Sequence, residues 1–165
     1  MNGKGNQSYP EPRVECENLY YANLLSEVFA GSVSEETAVH LYFYQHLILE
    51  EDYAEISNIL EKISIVEMHH LELLGQTIRL LGGNPIFGVN KNREVIYWNG
   101  NNVNYNQNIQ DILKIDMDAE KEAIKNYEYV LQVIQDKFVQ ELLERIIEDE
   151  KIHLQIFENL YQKLK

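Results

Sequence analysis

A pattern that occurs twice constrains this chain more than anything else in it. A lone glutamate, Glu35, is followed 32 residues later by Glu67-Met68-His69-His70, and a second, Glu120, is followed 30 residues later by Glu150-Lys151-Ile152-His153. Positions i and i+3 share one face of a helix, so Glu67 with His70, and Glu150 with His153, can each address one ion from one helix. Four carboxylates and two imidazoles in two matching sets are the ligand inventory of a two-metal site. Helix bundles are known to build such sites from two lone glutamates and two Glu-x-x-His pairs.

The spacing of apolar residues predicts the helices that would carry these groups. A first helix, A, is expected from about Asn18 to about Glu50, with a stripe through Leu25, Val28, Ser32, Glu35, Val39, Tyr42 and His46. Gly31 is its weak point. The alternative is a short first helix ending there, with Ser32 capping a second one and Glu35 completing a Ser-x-x-Glu capping box. Asp52, with Glu55 three residues on, reads as the N-cap of helix B, which runs through Ile56, Ile63, Glu67, His70 and Leu74 until Gly82-Gly83-Asn84-Pro85 stops it. Helix C is expected over about 109–135, and helix D follows Asp136 as N-cap. In all four helices the proposed ligands interrupt the apolar stripe. Unpaired charges there cost several kcal/mol per ion, so something must compensate them.

Register supplies the strongest argument. With the A/B turn near residue 51, Glu35 lies 16 positions before it and Glu67 lies 16 after it. With the C/D turn near 136, Glu120 lies 16 before, and Glu150 and His153 lie 14 and 17 after. Antiparallel helices of equal rise then bring all six side chains to one level, roughly 24 Å from each turn. Residues 84–108, rich in asparagine and glycine, are long for a loop, and a crossover joining parallel helices B and C along the bundle explains their length. The expected class is all-α: a four-helix bundle over residues 14–165 with one long B-to-C crossover, preceded by an arm, residues 1–13, that wraps the body or lies loose.

Bulk properties narrow the function classes. The chain has 14 basic and 27 acidic residues, a net charge of −13, which disfavours nucleic acid and anionic membrane as partners. Cys16 is the single cysteine. That excludes an internal disulfide and any Cys-x-x-Cys module, and a cytoplasmic location is expected. Carboxylates with one imidazole per metal suit iron first and manganese second, better than structural zinc. The expected chemistry is oxidoreductive, with peroxide or dioxygen as substrate and a separate electron donor as a candidate partner.

The remaining candidates carry less. His69 is expected at partial exposure, His46 as a hydrogen-bonded core residue, His40 on the surface, and Met68 as core or interface packing. Glu-x-x-Ala-x-x-x-Tyr occurs in both halves, as Glu35, Ala38, Tyr42 and as Glu120, Ala123, Tyr127. The small alanine leaves room beside the metals, and the recurring tyrosines are assigned a supporting role, hydrogen bonding or electron relay, behind the ligands. Eleven tyrosines and Trp98 offer material for subunit interfaces, so a homo-oligomer is expected.

On these motifs residues 14 to 163 resemble the ferritin-like superfamily. Glu-x-x-Ala-x-x-x-Tyr on helix A resembles the bacterioferritin and rubrerythrin pattern, and Glu67-Met68-His69-His70 is similar to the bacterioferritin Glu-Met-x-His. The segment from Tyr9-Pro10 to Ala38, with Glu120-Lys121-Glu122-Ala123, Tyr127 and Glu150-Lys151-Ile152-His153, resembles the manganese-catalase and spore-coat branch. The resemblance implies a ferritin-like bundle and a non-haem two-metal oxidoreductase: a peroxidase or ferroxidase, alternatively a dimanganese catalase or an iron-storage or coat protein. The chain lacks the four-cysteine iron site of rubrerythrins and has Ala123 where they carry a further glutamate. Met68 stands where bacterioferritins ligate haem, but one thioether does not imply haem and none is expected.

Overall fold

The first predicted helix is broken in two. In the computed structural model, which describes residues 3–5, 7–92 and 94–164, the chain forms α1 (Leu19–Ala30) and α2 (Glu35–Leu49) in place of one rod. Gly31 closes α1 by donating its N–H to the Glu27 carbonyl at 3.0 Å, and a Cβ at that position would meet the same carbonyl oxygen at 2.4 Å. The cap of α2 is Ser34, not Ser32. Its Oγ accepts from the Thr37 N–H at 3.3 Å and donates to the Gly31 carbonyl at 2.8 Å, so one hydroxyl links the two helices across the break.

The other three helices follow the expected register: α3 (Ala54–Leu80), α4 (Ile109–Val133) and α5 (Lys137–Lys163). Asp136 caps α5 as predicted, accepting from the N–H groups of Phe138 and Val139. Asp52 does not cap α3; Tyr53 holds that position without a side-chain bond. The crossover is more structured than its composition suggested. It holds an antiparallel hairpin, β1 (Gly88–Lys91) with β2 (Glu94–Tyr97), pairing Val89 with Ile96. Asn92 takes the left-handed conformation (φ 53°) that the reversal needs, a role asparagine fills readily. The Phe87 ring stacks on Phe29 of α1 at 5.6 Å, and Trp98 Nε1 donates to Thr37 Oγ1 at 2.9 Å, so the crossover fastens α1 and α2 near their break.

Two apolar clusters fill the two ends of the bundle. One joins α1 to α3, α4 and α5 through residues such as Leu25, Phe29, Leu74 and Ile146. The other joins α2 to the opposite ends of the same helices through Leu49, Leu60, Ile112 and Phe157. The layer between them is polar. Glu67 and Glu150 are each the central residue of a 27-residue helix, with thirteen residues on either side. Among the described residues no helix is long and apolar enough to cross a membrane.

Candidate metal centre

All six residues singled out by the repeated pattern meet in that polar layer, and each is nearly or fully buried. His70 Nδ1 lies 3.0 Å from Glu67 Oε2, 3.1 Å from Glu150 Oε1 and 3.5 Å from Glu35 Oε2. His153 Nδ1 lies 2.9 Å from Glu67 Oε1, 3.3 Å from Glu150 Oε2 and 3.7 Å from Glu120 Oε1. Glu67 and Glu150 therefore each present one oxygen to each imidazole. Glu35 faces only His70 and Glu120 only His153. The result is two groups, Glu35 with Glu67, His70 and Glu150, and Glu67 with Glu120, Glu150 and His153, in each of which the ligand atoms lie within 4.8 Å of one another.

The tyrosines are brought in crosswise. Tyr42 of α2 donates to Glu120 Oε1 of α4 at 2.5 Å, and Tyr127 of α4 donates to Glu35 Oε1 of α2. Both rings are buried. Burial, and then the facing glutamate, holds each phenol well above its ordinary pKa, so the hydroxyls stay protonated as donors. The sequence pattern placed each tyrosine on the face of its own glutamate. The helix pairing instead hands each one to the glutamate of the other half.

Electrostatics divides the four carboxyls into two kinds. Burial, reinforced by the neighbouring Glu67 and Glu150, pushes Glu35 well up; burial with Glu150 does the same to Glu120. Burial acts on Glu67 and Glu150 too, but the charges and hydrogen bonds of the imidazoles outweigh it and hold both below the usual range. Burial disfavours charge on the imidazoles, yet Glu35 beside His70 and Glu67 beside His153, with further bonds, push both well up.

These groups do not satisfy one another. Glu35 Oε2, Glu67 Oε1 and Glu150 Oε1 are buried without a hydrogen-bond partner, which is costly for carboxylate oxygens. Three carboxylates converge on one Nδ1 in each half, more acceptors than a single N–H can serve. A cation in each group would meet the unpartnered oxygens and the Nδ1 atom together, so the donor set fits two divalent ions. Access comes from between α2 and α4, where a cavity of about 290 Å³ reaches all four glutamates and is lined by Ala38 and Ala123 among apolar neighbours.

Residues 26–161 match the Rubrerythrin family model. The chain belongs to the rubrerythrin family. This rubrerythrin-family chain is also 33% identical over 148 residues to a bacterioferritin of Desulfovibrio desulfuricans, covering 87% of the chain and 77% of that protein. It is 26% identical to a probable manganese catalase of Clostridium acetobutylicum, covering 93% and 75%. Among solved structures, the bacterioferritin of Desulfovibrio desulfuricans, described with a diiron site, superposes with a TM-score of 0.74 at 31% identity over 87% of this chain and 78% of that one. The manganese catalase KatB of Anabaena PCC7120 superposes with a TM-score of 0.86 at 22% identity over 97% and 79%, a likeness of fold. The ferritin-like bundle expected from the sequence is thus the fold of this rubrerythrin-family member.

The remaining expectations divide. His40 is exposed, and His46 is half-buried with Nδ1 against Ser57, 2.9 Å from its Oγ. His69 is partly exposed and meets the Tyr9 ring edge-on at 4.7 Å. Met68 does not pack in the core: it is 54% exposed, in a surface groove with Phe29, Leu71 and Phe87. Sequence reasoning missed Asp149, which lies 3.1 Å from His70 Nε2 and 2.8 Å from Arg145 Nη1. An Arg145/Asp149 pair at i,i+4 on the ligand-bearing helix was the available signal.

Asp116 was not singled out either. This acid is fully buried one turn before Glu120, with Gln45 Nε2 donating to its Oδ1 at 2.7 Å and Oδ2 unpartnered. Burial pushes its pKa well up. A raised folded pKa gives stability that is present in full below 3.8 and lost as pH rises through the folded value. Asp116→Asn keeps the acceptor for Gln45 and cannot ionise. It is expected to raise the melting temperature by a few degrees at pH 8, about 1 kcal/mol, with the gain vanishing toward pH 4. A thermal-melt series across that range decides it, and a constant difference would contradict the argument.

Proposed function

We propose that the chain is a two-metal oxidoreductase that consumes hydrogen peroxide or dioxygen, with Glu35, Glu67, His70, Glu120, Glu150 and His153 holding two iron ions, or manganese as the alternative. The sharing of Glu67 and Glu150 between two four-residue groups carries this reading, because a pair of carboxylates common to both is what keeps two ions adjacent. When bound, the metals supply redox equivalents and Lewis acidity toward an oxygen substrate. The protein supplies the rest. Glu67 and Glu150 would span the two positions, while Tyr42 and Tyr127 each hold one oxygen of Glu120 and Glu35, at Glu35 leaving the Oε2 that faces His70 free to bind. Ala38 and Ala123 keep the approach between α2 and α4 open for a small substrate, and the apolar ends of the bundle exclude water from the layer.

A second reading, disproportionation by two manganese ions, is favoured by the manganese-catalase relative and by redox self-sufficiency. Two peroxides give two waters and one dioxygen with no outside electrons, whereas reducing one peroxide to two waters needs two electrons and two protons from a donor. The test loads the protein with Fe(II) or Mn(II) in parallel and follows peroxide and dissolved oxygen, with and without a reductant. Peroxide loss that needs reductant and evolves no oxygen supports the peroxidase reading. One dioxygen per two peroxides, without reductant, supports the catalase reading. No consumption with either metal overturns both.

A further inference from the structure

The N-terminal segment that precedes α1 does more than trail from the bundle. Its Gly3 carbonyl lies 2.6 Å from His153 Nε2. Its Tyr9 hydroxyl lies 3.2 Å from His70 Nε2 and donates to Asp149 Oδ2 at 2.5 Å, the same oxygen that lies 3.1 Å from His70 Nε2. Between these two points the Gly5 N–H donates to Asp149 Oδ1 at 2.6 Å, and Arg145 Nε donates to the Gln7 carbonyl at 3.0 Å. Lys4 and Arg145 both stand over the Tyr9 ring, at 4.7 and 4.4 Å from its centre. Both imidazoles thus present Nδ1 to the carboxylates while their far nitrogens are held by one short stretch of chain, directly at His153 and through Tyr9 and Asp149 at His70.

We propose that residues 3–5 and 7–9 act as a strap that fixes both imidazoles from behind, with Tyr9 the positioning residue for His70 and the Gly3 carbonyl the positioning group for His153. A carbonyl can only accept, so Nε2 of His153 must carry a hydrogen, and the nitrogen left to bind a cation is Nδ1. Asp149, whose carboxylate Arg145 and the Gly5 N–H hold in place, imposes the same choice on His70. Glycine suits position 3, because Gly3 has φ +59° and a Cβ there would come within 3.2 Å of Ile63 Cγ1 and 3.5 Å of His153 Nε2. The strap belongs to no helix; what it adds is a fixed ring orientation, which is what partners behind the ligands contribute to metal sites.

This inference rests on the metal reading, and its test separates the two. Tyr9→Phe keeps the ring and removes the hydroxyl; deletion of residues 1–8 removes the Gly3 carbonyl and the Gly5 N–H. In metal-loaded protein, release to excess chelator is expected to be about 10- to 100-fold faster in both variants, with helix content by circular dichroism unchanged. In metal-free protein labelled with nitrogen-15, the wild type should show both Nε2–H groups protected from exchange. Tyr9→Phe should weaken protection at His70 alone, where Asp149 remains the acceptor, and the deletion should lose it at His153, which the Gly3 carbonyl no longer meets, and weaken it at His70, where Asp149 has lost the Gly5 N–H. Should the deletion variant not fold, Tyr9→Phe carries the test by itself. Release rates within twofold of wild type, or imidazole signals unchanged in Tyr9→Phe, overturn the strap. A wild-type chain that takes up no metal overturns the metal reading, and the imidazole signals then decide the strap alone.

Discussion

Glu67→Ala is expected to empty both metal positions and to cut peroxide consumption more than about 100-fold, beyond the 10- to 100-fold usual for losing a partner behind a ligand. Glu35→Ala should leave one metal per chain. The difference follows from the geometry: Glu67 belongs to both four-residue groups and Glu35 to one. The metal-free variants separate further. Glu67 is held below the usual range because it neutralises two buried imidazoles, so deleting it strands them and lowers the melting temperature. Glu35 is pushed up by burial and by its neighbouring carboxylates and faces one imidazole only, so deleting it strands less charge and lowers stability less. Metal content by elemental analysis, with melts of chelated protein, reads all four outcomes. Two metals retained in Glu67→Ala, or indistinguishable metal content in the two variants, would refute the assignment of Glu67 as the shared ligand.

The part of this site that was legible in the sequence is the part encoded by helical periodicity. Glu35, Glu67, His70, Glu120, Glu150 and His153 lie on the buried stripe of their helices, and equal spacing from two turns sets their common level, so residue counting finds them. Periodicity has nothing to say about a segment without a repeat. Gly3 and Tyr9 reach the histidines from an irregular segment, and only coordinates show where such a segment ends. The split at Gly31 was visible as a glycine, but choosing Ser34 over Ser32 as cap depended on the Gly31 carbonyl and on Trp98 bonding Thr37. Likewise Glu-x-x-Ala-x-x-x-Tyr showed that each tyrosine belongs near a glutamate. That the partner lies on the opposite half is a property of how α2 faces α4, which no single helix encodes.

Loading the protein with two divalent ions is expected to release protons and to raise the melting temperature by about 10 to 20 °C. In the metal-free chain the imidazoles draw Glu67 and Glu150 toward the carboxylate form, while burial and neighbouring charges draw Glu35 and Glu120, and the glutamates draw both imidazoles, toward their protonated forms. Ligation needs all four glutamates as carboxylates and both Nδ1 atoms free of protons, so protons leave as positive charge arrives, which limits the net charge buried in so deep a layer. Free metal at 100 times its dissociation constant adds about 2.7 kcal/mol per ion, or about 5 kcal/mol for two, and a chain of this size shifts by roughly 2 to 4 °C per kcal/mol. The sign with pH follows from the same groups. Stability from the two raised imidazoles is present in full below 6.5 and lost as pH rises through their folded values, and the raised Glu35 and Glu120 lose theirs in the same direction from 4.5 upward. Metal replaces those protons, so the gap in melting temperature between loaded and chelated protein should widen from pH 6 to pH 9. Proton release measured by calorimetry in buffers of different ionisation enthalpy, together with the two melting curves, checks both statements. A gap that narrows over that range, or no proton release at all, would mean that the imidazoles and the two outer glutamates are not where the metals bind.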